Sequence, residues 1–214
     1  MEFEEQKKAL IEYWEKSGIV RDKRLIEAFL SVPREEFVLP TYRHRAYDDV
    51  ALPIIAGQTI SQPTTIMIML QALEPKQDDI VLEIGAGSGY NAALLSKLVK
   101  KVYTVEILEE VANYAKKNLE KLNIKNVEVI ISDGSLGYKK AAPYDKIIVT
   151  AACPEIPKPL IDQLKDNGIL VAPVGSLFEQ KMLKVVKKKG KLIKQDLGEF
   201  VFVPLHGKHG FQAT

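Results

Sequence analysis

The feature that most constrains this 214-residue chain is an alternation that begins near residue 79. Short apolar runs of strand character occur at 79–84, 102–106, 127–131, 146–150 and 169–172. Segments of helical character lie at about 89–99, 108–122 and 157–165. Strands that alternate with helices imply right-handed crossovers and a mainly parallel, doubly wound α/β sheet. The stretch 181–205 alternates less and carries no long helix. It is expected to add antiparallel strands at one sheet edge. Within it, Lys187-Lys188-Lys189 before Gly190 reads as a solvated hairpin tip, with a phosphate-binding patch as the alternative.

Ahead of the alternating core, residues 2–31 predict two helices. Leu10, Ile11 and Trp14 recur at helical spacing, as do Leu25, Ile26, Phe29 and Leu30. Gly18 suits the stop of the first and Asp22 the N-cap of the second. Residues 32–62 hold Pro33, Pro40, Pro53 and Gly57 among many apolar side chains, such as Phe37, Tyr47 and Ile60. So long an irregular stretch is either functional or disordered, and its apolar content argues for a folded active-site lid. Pro63 to Leu73 then predicts a helix with proline in its first turn. The whole reads as one domain over 1–214: helices and lid (1–62), α/β core (63–175), and edge strands with a substrate-binding tail (176–214).

The block Glu83-Ile84-Gly85-Ala86-Gly87-Ser88-Gly89-Tyr90 joins the first core strand to its helix. Glycines there permit a tight turn and close approach of a ligand, off the carboxyl ends of the strands. Dinucleotide enzymes use G-x-G-x-x-G. Here the spacing is G-x-G-x-G after an acid, which resembles the first motif of class I S-adenosylmethionine (SAM) methyltransferases. A dinucleotide and a plain tight turn remain as alternatives on this block alone. Glu106 ends the next strand, where a carboxylate can accept from both ribose hydroxyls. Its bland alternative is a surface acid or helix cap. Asp133-Gly134 follows the third strand, suited to an adenine amino group or to an Asx-type turn.

Bulk properties exclude some classes. The formal net charge is only +2, unlike the strong positive field of a nucleic-acid binder. The single cysteine, Cys153, excludes an internal disulfide and a Cys-cluster metal site, and reads as an apolar filler. No apolar run approaches the length of a membrane span, and the acidic start Met1-Glu2-Phe3-Glu4 lacks signal-peptide character. A cytoplasmic monomer without metal, membrane or nucleic-acid partner is expected.

Across roughly residues 30–205 the chain resembles the protein-L-isoaspartate O-methyltransferase family. The matching pieces are Val32-Pro33-Arg34-Glu35-Glu36-Phe37-Val38, Ala46-Tyr47, Ala51-Leu52-Pro53-Ile54, Gly57-Gln58-Thr59-Ile60-Ser61-Gln62-Pro63, Leu82 to Tyr90, Val149-Thr150-Ala151-Ala152, Pro173-Val174-Gly175 and Phe202-Val203-Pro204-Leu205. The segment from Gly57 to Pro63 is the specific one; the glycine loop is widely shared. The resemblance implies the class I SAM-methyltransferase fold and methyl transfer from SAM to the α-carboxylate of isoaspartyl residues in damaged proteins. S-adenosyl-L-homocysteine is the product, and a succinimide follows. It implies cofactor contacts from Glu83, Ile84, Gly85, Ala86, Gly87, Ser88, Gly89, Glu106, Asp133 and Gly134. It also implies that Ser61 faces the substrate carboxylate, with Thr59, Ile60, Val203, Pro204, Leu205 and His206 around the peptide. Asn91 stands where many relatives carry glutamine. Read on physics alone, Ser61 is a natural N-cap for the helix that starts at Pro63.

No catalytic dyad is evident, and this chemistry needs none. A carboxylate is ionised at neutral pH, because such groups titrate near ~4. The task is alignment and exclusion of water. Recognition of a backbone flaw suits main-chain hydrogen bonds to an extended peptide, and the edge near Phe202–Leu205 is the expected place. Nucleic-acid methylators of this fold carry an Asn/Asp-Pro-Pro-aromatic or Pro-Cys motif. This chain has Thr150-Ala151-Ala152-Cys153-Pro154 there. A non-catalytic binding module and a nicotinamide oxidoreductase fit less well.

Overall fold

The computed structural model describes residues 2–211. Helices α1 (Glu2–Ser17) and α2 (Lys23–Ser31) form as the periodicity requires. Gly18 takes the left-handed conformation, φ +69°, that ends α1. The Asp22 side chain accepts from Arg24 N–H at 3.0 Å and caps α2. Trp14 is fully buried edge-on against Phe29, and its indole N–H donates to Thr64 Oγ1 at 2.7 Å. The two helices therefore pack onto the body of the protein.

The irregular stretch is folded. It contains short 3-10 turns and a hairpin of β1 (Leu52–Pro53) and β2 (Thr59–Ile60), with Val32, Phe37, Tyr47, Leu52, Ile54 and Ile60 all buried. Helix α3 (Pro63–Leu73) follows, nearly all of it buried.

The core supplies β3 (Ile80–Ile84), α4 (Tyr90–Ser96), β4 (Lys101–Glu106), α5 (Glu109–Lys121), β5 (Val127–Ile131), β6 (Tyr144–Val149), α6 (Lys158–Gln163) and β7 (Leu164–Gly175). Strands β8 (Gln180–Lys188) and β9 (Lys191–Phe200) complete it. The seven-stranded sheet runs in the order β5-β4-β3-β6-β7-β8-β9. Strands β3 to β7 are parallel; β8 pairs antiparallel with β7, and β9 with β8. Helices α4 and α6 are shorter than the sequence pattern predicts, and β7 starts five residues earlier. Its first residues pair with β6 through Tyr144 and Leu164 across an irregularity, so tertiary pairing overrides the local helical pattern.

Strand order reverses between β3 and β6, and the crevice at that switch point is where such sheets bind ligands. At the opposite rim, Lys189 and Gly190 form the expected hairpin tip, with φ +51° and +73°. Lys187 departs from the solvated reading. Its ammonium donates to the carbonyls of Ile161 and Leu164, both at 2.8 Å, and closes the end of α6. Among the described residues no helix is long and apolar enough to cross a membrane.

Candidate active site

Strand β3 delivers Glu83 and Ile84 to the switch point, and the chain then turns on Gly85, Gly87 and Gly89, with φ of +94°, +52° and +85°. Only glycine adopts these values without strain. Close packing adds a second reason at Gly85, where a Cβ would lie 2.6 Å from Thr150 Oγ1. That hydroxyl donates to the Gly85 carbonyl at 2.7 Å, while Thr150 N–H donates to the Ile84 carbonyl at 2.9 Å. Thr150 thus pins the glycine loop from the neighbouring strand end. The segment Val149-Thr150-Ala151-Ala152 carries the family resemblance, but only the fold shows Thr150 across the switch point from Gly85.

Glu83 is fully buried. Asn91 Nδ2 donates to its Oε1 at 2.7 Å, while Glu83 Oε2 and Asn91 Oδ1 have no partner. Burial pushes the Glu83 carboxyl up to about 7, against the opposing pull of its hydrogen bonds and with a further push from Glu106. An unpartnered carboxylate oxygen held beside three left-handed glycines fits a cationic ligand. Asn91, given no role from sequence, sets the orientation of that carboxyl.

Glu106 fulfils its bland reading and more. Its Oε1 accepts from Ile107 N–H at 2.9 Å and Leu108 N–H at 3.1 Å, closing the turn before α5. Its Oε2 accepts from Gly87 N–H at 3.2 Å, so it also latches the glycine loop while lining the crevice. Asp133 forms the Asx-type turn: Oδ1 accepts from Ser135 N–H at 2.9 Å and Ser135 Oγ at 2.6 Å. Its Oδ2 accepts from Lys208 N–H at 2.8 Å, tying down the C-terminal tail. Gly134 lines the crevice and Asp133 does not. A Cβ on Gly134 would meet Ile84 Cγ2 at 2.7 Å, so glycine keeps this wall flush with β3.

The other half of the site comes from remote segments. Thr59, Ile60 and Ser61 line the same crevice as Glu83 to Ser88, and Val203, Pro204, Leu205 and His206 close it from the tail. Ser61 does not cap α3. The N-cap position is Gln62, without a side-chain cap, and Asp49 does the work instead. Its Oδ1 accepts from Thr64 N–H at 2.9 Å and its Oδ2 from Thr64 Oγ1 at 2.7 Å.

Arg34 holds Ser61 in place. Its fully buried guanidinium donates from Nη2 to the Ser61 carbonyl and from Nε to the Ala46 carbonyl, each at 2.7 Å. It lies 5.0 Å from the centroid of the Tyr90 ring. One side chain so joins the lid, Ser61 and the helix after the glycine loop. Burial lowers its proton affinity, and no carboxylate pairs with it among the described residues.

The tail is partly tied down by its own backbone. Val203 C=O and Leu205 N–H pair with Ala152 at 2.8 and 2.7 Å, Leu205 C=O accepts from Phe211, and Phe202 N–H donates to Gln180 Oε1. Pro204 has no N–H to give. These bonds engage part of the backbone of this stretch, which lines the crevice from Val203 to His206. Cys153 is buried, with its thiol pushed up to about 12 by burial, in keeping with an inert filler. Among the described residues no group of three or more His, Cys, Asp or Glu side chains is placed to hold a metal ion.

Residues 5–210 match the model of the family described as protein-L-isoaspartate(D-aspartate) O-methyltransferase. A protein-L-isoaspartate O-methyltransferase of Staphylothermus marinus is 49% identical over 222 aligned positions, which cover 98% of each chain. A solved protein-L-isoaspartate O-methyltransferase superposes with a TM-score of 0.85 at 31% identity, over 95% of this chain and 67% of that one. A solved structure of the same designation from Plasmodium falciparum, in complex with S-adenosyl-L-homocysteine, gives a TM-score of 0.80 at 26% identity, over 93% and 97% of the two chains.

Proposed function

The chain belongs to the protein-L-isoaspartate(D-aspartate) O-methyltransferase family, and on that premise we propose that it methylates the free α-carboxylate of L-isoaspartyl residues in damaged proteins and peptides, using SAM and starting repair through a succinimide. The observation that carries this reading is the position of Ser61. It is half-buried where the glycine-lined crevice meets a second, outer groove.

SAM supplies a methyl group on a sulfonium and leaves as a neutral thioether, S-adenosyl-L-homocysteine. Glu83, with its unpartnered Oε2, and the glycine loop from Gly85 to Gly89 hold its cationic end. Glu106 and Gly134 flank its nucleoside, with Asp133 keeping the Gly134 turn in shape. The substrate oxygen arrives ionised, so no residue has to take a proton. Ser61 donates one hydrogen bond that orients the carboxylate, and Thr59, Ile60 and Val203 to His206 surround the peptide. The apolar lid excludes water, which favours a transition state in which opposite charges cancel.

The three segments 1–62, 63–175 and 176–214 act as one domain. The protein works as a cytoplasmic monomer on isoaspartyl proteins, with no nucleic-acid or membrane partner and no metal, in line with its net charge of +2. The test uses labelled SAM and two peptides that differ only in Asp against isoAsp. Base-labile label on the isoAsp peptide alone is expected; label on RNA, or on both peptides equally, refutes the reading.

A further inference from the structure

Beyond Ser61 lies the outer groove, about 550 Å³ in size, whose inner end shares Thr59, Ser61, Thr150 and Val203 with the cofactor crevice. We propose, building on the function just given, that this groove seats the residue next to the isoaspartyl residue and selects a lysine or arginine side chain there.

Continuity comes first. A peptide whose carboxylate rests at Ser61 has the glycine-lined crevice on one side and this groove on the other, so the chain beside the reacting residue enters the groove. The groove is also built to keep its shape. Its walls are the β7–β8 loop and the strand end at Phe200 to Val203, and the buried side chain of Gln180 ties them together. Gln180 Nε2 donates to the Ser176 carbonyl at 2.6 Å, and its Oε1 accepts from Phe202 N–H at 2.8 Å. Ser176 Oγ accepts from the N–H groups of Phe178 and Glu179, both at 3.2 Å, and locks the loop in a tight turn.

The lining then specifies the occupant. Glu179 and Glu199 both line the groove, no lysine or arginine does, and neither acid is in an ion pair among the described residues. Phe178 is 86% exposed and Val201 is 75% exposed, two large apolar side chains left in water beside two carboxylates whose cationic neighbour, Lys181, is paired with Asp196. A lysine or arginine satisfies both features. Its aliphatic stem covers Phe178 and Val201, and its charged head reaches the carboxylates and the ring face. A glutamate or aspartate meets two like charges instead.

The experiment uses the full-length protein and isoaspartyl peptides identical except for Lys, Gln or Glu beside the isoaspartyl residue, on its N-terminal side in one set and its C-terminal side in another. In at least one set, KM rises in the order Lys, Gln, Glu, by about tenfold across the series, with kcat unchanged. The spread shrinks at high salt. The double variant Glu179→Gln/Glu199→Gln brings the three KM values within about twofold while its kcat on the Gln peptide stays at the wild-type level. Equal KM values in both sets of the wild type, or a full spread that persists in the double variant, overturn the groove assignment and leave the methyltransferase function standing. Absence of label on every isoaspartyl peptide overturns the function and the groove together.

Discussion

The two halves of the active site are built differently. The glycine half, Glu83 to Gly89 with Glu106 and Gly134, lies at three consecutive strand ends, and short backbone contacts shape it. The Ser61 half brings together a lid from before the sheet and a tail from after it; buried Arg34 fixes the lid, and buried Gln180 ties the tail to the loop before β8. The first half is local and repetitive, so many proteins share it. The second depends on contacts between segments far apart in sequence, and it is the half that the proposed function makes responsible for specificity. The comparison predicts that damage to the glycine half appears in cofactor affinity, and damage to the lid half in turnover or in folding.

The largest effect is expected from Arg34→Met. It leaves the Ser61 and Ala46 carbonyls without a donor in a buried place. A loss on the order of 3 kcal/mol follows, seen as a fall in Tm of roughly 6–12 °C by calorimetry. An unchanged Tm would break the claim that Arg34 joins the halves. Gly85→Ala comes next, because it adds a left-handed strain of ~1–2 kcal/mol to a collision with Thr150. Cofactor Kd, read by titration calorimetry, should weaken by about 100-fold with the peptide KM little changed.

Ser61→Ala removes one charge-assisted hydrogen bond. A fall in kcat of roughly 10- to 100-fold is expected, with cofactor Kd within about twofold of wild type. Loss of affinity in step with rate would show that the halves are not separable. The smallest effect concerns pH. Burial holds the Glu83 carboxyl up to about 7, above its unfolded value. Folding therefore retains its proton, and the Glu83 contribution to stability falls as pH rises from the ordinary carboxylate range to about 7. A cationic ligand prefers the ionised form, so cofactor affinity should weaken by about tenfold between pH 8 and pH 6. Glu83→Gln should remove that pH dependence.

Much of this is legible in the sequence. Helix α3 begins and ends where Pro63 and Leu73 predict, and β5 spans Val127–Ile131 as its apolar run requires. The caps at Asp22 and Gly18 follow from residue type alone. Helix α6 and the start of β7 depart from the local pattern, because Leu164, at the end of a helical pattern, pairs with Tyr144 of β6. The roles of Asp49, Arg34, Thr150 and Gln180 are not legible, although Arg34 and Thr150 lie in segments that carry the family resemblance, since each acts on a partner distant in the chain. The bland reading of Glu106 holds, since its carboxylate closes a turn, and the same side chain lines the crevice.

The sequence alone determined which strand ends carry the chemistry-bearing groups, because periodicity places strands and glycines mark turns that only glycine can make. It also determined the family, through the segment from Gly57 to Pro63. Tertiary structure decided which oxygen is free and which is occupied. Asp49 leaves Ser61 without a capping role, the tail takes up Asp133, and Ala152 takes up the backbone near Pro204. A side chain's type limits what it can bond. Which bond it makes depends on the neighbours that folding brings within about 3 Å, and those neighbours are distant in the chain.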